Sequence, residues 1–368
     1  MNESLRLDRR RERAAGGATL PTGYELLQPD VLDGLENVPC PVFVGLGGRA
    51  VLYAVAGAQA GELRRRLQDG RPLLIRREDA ELLRTALVAA LPRVLTSGRL
   101  SPPSRTRVAY AMTSHIVAPL FSPRSPIGRG DLVAAREAVD VVLKAVLVEE
   151  DLLWSMVATM QRHLRTHTHA VNTAVYAAIL GRAVFGPRSD LRDIGRGALL
   201  HDIGKNRVPT RILDKPGPLD ADEWRIMRRH PEVGYEIVVS SLGEVPSYAH
   251  IILDHHERAD GSGYPSGRPG SAVPLDSQVV AITDAFDALT SDRPYKAAST
   301  PFEALRIMRF EMAGQFDDRL LQVFIGLIGA RDGFRRSDYR ALEAGPARPL
   351  SRLLTPAGLR LPEVLPTP

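Results

Sequence analysis

Five of the nine histidines fall on segments with a helical apolar pattern, each close to a carboxylate. They run in the order His169, His201-Asp202, His230, His255-His256, and the series closes on Asp284. Taken singly, a histidine such as His169 or His230 reads as a satisfied polar residue. Asp284 alone reads as a cap or a surface charge, and a His-Asp dipeptide occurs by chance. The ordered set is a different matter, because separate helices then carry ligand-type side chains that one fold must bring together. Gly204 lets the backbone leave helical spacing just after His201-Asp202, so both side chains can converge on one point. Imidazole with carboxylate selects iron, manganese or zinc over calcium. An aspartate in such a set can bridge two ions, as two-metal phosphoesterases require.

The surrounding pattern predicts how these residues are carried. From Asp131 onward the chain is almost wholly helical in period. Leu132 to Val148 and Leu152 to Val184 have apolar residues at three- and four-residue intervals. Further helices are predicted over Leu191 to Leu200, Asp220 to Ser240, Tyr248 to His256, Gln278 to Leu289, Pro301 to Ala313 and Asp318 to Leu327. The N-terminal part reads differently. Pro41 to Leu46 and Ala50 to Val55 are short apolar runs around Gly47-Gly48, which predicts a β-hairpin. Pro72 to Ile75 is a third strand, and Glu78 to Leu91 a helix that Pro92 stops. Gly45-Leu46-Gly47-Gly48 has the wrong spacing for a dinucleotide fingerprint and is read as a turn. Ser97 to Arg107 and Ser122 to Gly130 read as connections around a helix over Val108 to Leu120.

The fold class expected is therefore mainly α: a C-terminal all-α helical bundle preceded by a small α+β N-terminal domain. The expected divisions are a flexible basic tail over 1–23, the α+β regulatory or partner-binding domain over 24–125, and a connecting helix over 126–148. The helical domain follows over 149–335, and an extended arm over 336–368. Arg6, Arg9, Arg10, Arg11 and Arg13 have no apolar stretch after them, so the tail is not read as a secretory signal. No apolar run approaches a membrane span. Cys40 is the single cysteine, which excludes an internal disulfide and a sulfur-ligated zinc or iron–sulfur centre within one chain. It reads as a small core residue, and a cytoplasmic setting fits. The net charge of +5 owes much to the tail, and 5% aromatic residues do not suit a nucleic-acid polymer as partner. Modest positive charge does suit an anionic small substrate.

Several stretches together carry a specific resemblance. They are Thr168-His169-Ala170-Val171-Asn172, Leu200 to Lys205, Asp214 to Leu219, and His230-Pro231-Glu232-Val233-Gly234. His255-His256-Glu257-Arg258, Asp260-Gly261-Ser262-Gly263-Tyr264-Pro265, Asp284 to Thr290, and Arg293-Pro294-Tyr295-Lys296 complete the set. From Glu149 to Ala330 the chain resembles the HD-GYP family of cyclic di-GMP phosphodiesterases, within the HD-type phosphohydrolases. The resemblance implies a helical bundle around a metal pocket. It implies one ion on His169, His201, Asp202 and Asp284, with Asp202 bridging to a second on His230, His255 and His256. A metal-bridged hydroxide would open cyclic di-GMP to pGpG and on to GMP. It assigns catalysis to Asp202 and Lys205, and substrate contacts to Lys205, Gly263, Tyr264, Pro265, Asp287, Arg293 and Lys296. Arg293 and Lys296 would clamp phosphate, one as a fork and one as a point charge.

One position departs from the family. Members with three ions carry a Glu one helical turn before the first histidine, where this chain has Arg165, which implies two ions. His163 and His167 are read as non-ligands, and His115 and His250 as structural. The loop over Asp260 to Pro265 is also a candidate surface for diguanylate cyclase (GGDEF) partners. A homodimer through the N-terminal domain or the long helix ahead of His169 is a further expectation. Two rival readings stand beside the enzyme: a receptor module that binds cyclic di-GMP or a protein without turnover, and a phosphohydrolase for another nucleotide.

Overall fold

A computed structural model describes residues 20–67, 71–123, 126–160, 166–187, 189–215, 217–291 and 298–343. The chain divides into two compact units, Met1–Leu120 with Ile127–Met160, and Phe121–Pro126 with Gln161–Pro368.

The first unit is built on four strands, β1 (Tyr24–Leu27), β2 (Val42–Leu46), β3 (Arg49–Ala54) and β4 (Leu73–Arg76). They form an antiparallel sheet in the order β1-β4-β2-β3. The predicted hairpin is β2–β3, and Gly47 and Gly48 both take left-handed backbone (φ 54° and 77°), as a two-residue turn between twisted strands requires. β1 escaped the sequence pattern, because its four residues YELL are too few for alternation to register. The helices of this unit are α1 (Ala60–Arg66), α2 (Ala80–Leu95), α3 (Pro102–Val117), α4 (Arg129–Val148) and α5 (Glu150–Met160). The α3 helix packs against α2, α4 and α5, and its residues from Val108 to Val117 are buried throughout. Cys40 is buried, and burial with the nearby carboxylates of Asp79 and Glu25 pushes its thiol up to about 11. It is the inert core residue expected.

Two helix ends differ from the sequence reading. Pro92 does not stop α2, which continues to Leu95. A proline this near the end costs one backbone bond, and the last turn is still closed by Thr96, whose amide and hydroxyl both reach the Pro92 carbonyl. Ser97 to Arg107 is not all connection, because α3 already starts at Pro102. Proline suits a first turn, where the missing N–H has no partner to lose.

The second unit is helical: α6 (Thr166–Phe185), α7 (Arg192–Leu200), α8 (Thr210–Leu213), α9 (Ala221–Met227), α10 (His230–Leu242), α11 (Ala249–Asp254), α12 (Leu275–Thr290), α13 (Pro301–Arg306), α14 (Asp318–Arg331) and α15 (Arg336–Glu343). A 3-10 turn over Ile203–Arg207 follows α7. Helix α6 packs on α7, α12 and α14, and α10 packs on α11 and on the 3-10 turn. Tyr176, Phe286 and Phe324 meet edge to face with centroids 5.0 to 6.3 Å apart and tie α6, α12 and α14 together.

The predicted helix over Asp220 to Ser240 is two helices, α9 and α10, broken at Arg228-Arg229. Pro231 stands in the first turn of α10 and cannot donate to the turn before it. Helix α15 occupies residues expected in the extended arm, and Tyr339 and Leu342, three residues apart, are its buried anchors. The rest of that arm, and the basic tail to residue 19, lie outside the described residues. Among the described residues no helix is long and apolar enough to cross a membrane.

Candidate metal centre

The His201-Asp202 doublet sits where α7 gives way to the 3-10 turn. His201 caps the helix with helical backbone, while Asp202 leaves it at φ −96°, ψ 5°. Gly204 makes this arrangement possible. A Cβ there would lie 1.9 Å from the His230 carbonyl oxygen and 2.6 Å from the Gly234 amide nitrogen. The turn and the start of α10 therefore touch backbone to backbone, which brings His230 beside Asp202.

The ligand-type atoms gather in two groups, each within 4.8 Å: His169, His201 and Asp284, and Asp202, His230, His255 and His256. Asp202 faces both. Its Oδ2 lies 3.4 Å from His201 Nε2 and 3.8 Å from His169 Nε2. Its Oδ1 lies 3.2 Å from His230 Nε2 and 3.9 Å from His255 Nε2. Asp284 Oδ1 completes the first group, 3.0 Å from His169 Nε2 and 3.6 Å from His201 Nε2. All seven sequence-predicted ligands are thus brought together.

Hydrogen bonds behind the rings fix which nitrogen faces inward. His201 Nδ1 donates to the Ala198 carbonyl at 2.7 Å, His230 Nδ1 to Met227 at 2.8 Å, and His255 Nδ1 to Ile252 at 2.8 Å. A carbonyl can only accept, so each Nδ1 carries its hydrogen, and in the neutral ring each Nε2 offers a lone pair to the centre. His230 Nε2 and His255 Nε2 then face each other at 3.2 Å. Two lone pairs at that distance are satisfied by a shared proton or by a metal cation between them. His201 Nε2 and Asp202 Oδ1 are also buried without a hydrogen-bond partner among the described residues. The donor set therefore fits divalent metal.

Electrostatics agree with that fit. Burial works against charge on Asp202, yet Lys205 and His201 outweigh it and hold the carboxyl well below the usual carboxylate range. Asp284 is held low in the same way by His169 and His201. Burial, with like charge on neighbouring imidazoles, pushes His255 down, and burial takes His256 down to about 3, so both rings are neutral, as a metal ligand must be. His201 goes the other way: burial opposes its charge, but Asp202 and Asp284 prevail and raise it to about 10. Without a metal, the anionic pocket takes up a proton at the nitrogen where a metal ligand bond would form.

The remaining site residues fall into three situations. Lys205 Nζ donates to Asp202 Oδ2 at 2.6 Å, and its side chain is 27% exposed, so one end of it reaches solvent. Gly263 is needed for close approach, since a Cβ there would lie 2.5 Å from the Arg258 nitrogen and the His256 oxygen. That brings Tyr264 onto His256, rings stacked with centroids 4.7 Å apart, ahead of Pro265. The Arg228 guanidinium lies over the same tyrosine ring at 5.6 Å. Asp287 is buried, with Oδ2 accepting from His169 Nδ1 at 2.7 Å and Oδ1 from Asn172 at 2.9 Å. Those bonds place the carboxylate behind His169, where it orients the ring. Arg165, His163, Arg293 and Lys296 lie outside the described residues, as does the side chain of His167. His250 is structural, bonded to Asp276 at 2.9 Å, and His115 is buried in α3.

Sequence reasoning missed several supporting groups. Asn172 sits one turn after His169 and shares Asp287 with it, a spacing that could have been read. Glu257 Oε1 accepts from the amides of Ser266 and Gly267 at 2.7 and 3.2 Å, and Arg268 pairs with the buried Asp254. Both anchor the loop that carries Tyr264, through partners too far apart in sequence to leave a pattern.

Residues 148–320 match a family model described as HD domain. A cyclic di-GMP phosphodiesterase of Pseudomonas aeruginosa is 36% identical over 199 residues, 54% of this chain and 48% of that protein. A cyclic di-GMP phosphodiesterase response regulator of Xanthomonas campestris is 35% identical over 206 residues, 52% of this chain and 54% of its own. A 3'3'-cGAMP-specific phosphodiesterase of Vibrio cholerae is 31% identical over 191 residues, 51% of this chain and 37% of its own. The chain spans about half the length of the first two of these relatives. Among solved structures, an HDG"Y"P protein from Bdellovibrio bacteriovorus shares the fold, with a TM-score of 0.62 at 17% identity over 83% of this chain and 99% of that one.

Proposed function

We propose that this chain, whose residues 148–320 match an HD-domain family model, is a metal-dependent phosphodiesterase that opens cyclic di-GMP to pGpG, with GMP formed if the second phosphodiester is also cut. The observation that carries this reading is the division of Asp202, whose two oxygens face two separate groups of inward-pointing ligands. Relatives named for cyclic di-GMP and for cGAMP support the cyclic dinucleotide class.

His169, His201, Asp202 and Asp284 would hold one divalent ion, and Asp202, His230, His255 and His256 a second, with iron or manganese first and zinc as the alternative. Such ions supply Lewis-acid charge to the phosphoryl oxygens and lower the pKa of the attacking water. The chain's own groups do the rest. The carbonyls of Ala198, Met227 and Ile252 hold the rings in one tautomer. Lys205 steadies Asp202 from the solvent side and contacts or protonates the reacting phosphate. Arg293 and Lys296 clamp phosphate in this reading, on the strength of the motif that contains them. The loop over Asp260 to Pro265 is the surface offered to a diguanylate cyclase partner.

Chromatographic analysis of cyclic di-GMP incubated with wild type and Asp202→Ala tests the proposal. Linear pGpG from wild type and none from the variant is the expected result. Tight nucleotide binding by wild type without any product would replace the enzyme with a receptor.

A further inference from the structure

We propose that Arg228 is a specificity-determining residue that reads the Hoogsteen edge of a guanine in the substrate. The inference rests on the cyclic dinucleotide reading above and adds the group that selects the base.

Arg228 caps α9 at the break before α10, one turn after Trp224. Its guanidinium lies over the Trp224 ring at 5.7 Å and over the Tyr264 ring at 5.6 Å. Tyr264 is stacked on His256, a member of the metal-ligand group, at 4.7 Å, and stands 6.4 Å from His230. A ladder of flat groups thus runs from the exposed Trp224 (46%) to the metal centre. Three other arginines of this region are engaged: Arg225 pairs with Asp222 at 3.0 Å, Arg268 with Asp254, and Arg258 bonds Ser262 at 3.3 Å. The Arg228 guanidinium, by contrast, has no carboxylate or hydrogen-bond partner among the described residues. Aromatic faces hold the guanidinium plane and leave its N–H edge free.

A planar fork of two parallel N–H donors matches guanine, which presents O6 and N7 as adjacent acceptors. Adenine presents N7 beside an N6 amino group, so one donor would meet another donor. A phosphate would also accept the fork, but it would do so equally for every base. The two possibilities therefore differ in selectivity. The ring of Tyr264 is already engaged by His256 and Arg228, and the guanidinium edge is open as a recognition group beside it.

The test compares wild type, Arg228→Ala and Arg228→Gln on cyclic di-GMP, 3',3'-cGAMP and cyclic di-AMP, by kcat/KM with manganese and by equilibrium dialysis of each nucleotide. Wild type should prefer guanine, and Arg228→Ala should lose on the order of tenfold to a hundredfold of that preference, mainly through KM. Arg228→Gln should move the preference toward adenine, since a carboxamide pairs with N6 and N7. An equal loss on cyclic di-GMP and cyclic di-AMP would overturn the proposal and make Arg228 a phosphate contact, and unchanged preference in both variants would overturn it outright. Selective binding by wild type without turnover would fail the enzyme reading while leaving the base selection standing. Binding of none of the three nucleotides would sink both.

Discussion

Asp287 acts on the centre from behind. Its carboxylate holds the Nδ1–H of His169, and Asn172 holds the carboxylate, so the ring presents Nε2 in one orientation. Groups that orient a ligand in this way are typically worth about 10- to 100-fold in metal affinity. Asp287→Ala should therefore weaken manganese binding by that order in a direct titration while far-ultraviolet circular dichroism stays that of wild type. Undiminished affinity would remove the positioning role. His115 provides a second residue-level test, on stability. Burial, with Arg84 nearby, depresses its pKa from 6.5 to about 4. A depressed pKa means the native state refuses a proton that the unfolded chain accepts. The contribution is intact above 6.5 and is lost as pH falls through the window toward 4. The shift corresponds to about 3 kcal/mol. Urea denaturation at neutral pH and near pH 4 should show His115→Gln losing less stability than wild type by that order, and parallel losses would contradict it.

Helices and turns impose their own demands, and these were unevenly legible. The periodicity placed α4, α7, α12 and α14 close to their observed bounds, because each buries one continuous apolar face. It merged α9 with α10, since the apolar spacing runs on across Arg228-Arg229 and only the backbone turns there. It also ended α2 at Pro92, although an exposed proline near a helix end is tolerated. Backbone contact explains what spacing could not. Gly204→Ala must force the 3-10 turn away from α10, and overpacking of this kind costs about 1–3 kcal/mol or more. Gly61, inside α1, has no atom within 4 Å of a built Cβ, so Gly61→Ala should instead stabilise the protein by roughly 0.5–1 kcal/mol. Thermal unfolding of the two variants should move in opposite directions. A Gly204→Ala protein that melts like wild type and keeps its metal would remove the close-approach argument.

Across the whole molecule, the site was more readable than the fold that holds it. Ligand residues announce themselves by type and order, so His169, His201, Asp202, His230, His255, His256 and Asp284 could be named before any packing was known, and the structure gathers all seven. The supporting bonds are carbonyls three residues back and a carboxylate 118 residues away, and neither leaves a mark in composition. The sheet order β1-β4-β2-β3 was hidden beyond its β2–β3 hairpin, since the β1–β4 and β4–β2 pairings join strands far apart in the chain. The central claim is that Asp202 serves two ligand groups at once. Metal analysis of protein purified without oxygen, wild type beside Asp202→Ala and His201→Ala, tests it most directly. The account predicts about two divalent ions per wild-type chain, most of both lost in Asp202→Ala, and a smaller loss in His201→Ala. Asp202→Ala protein that keeps the wild-type metal content would contradict it.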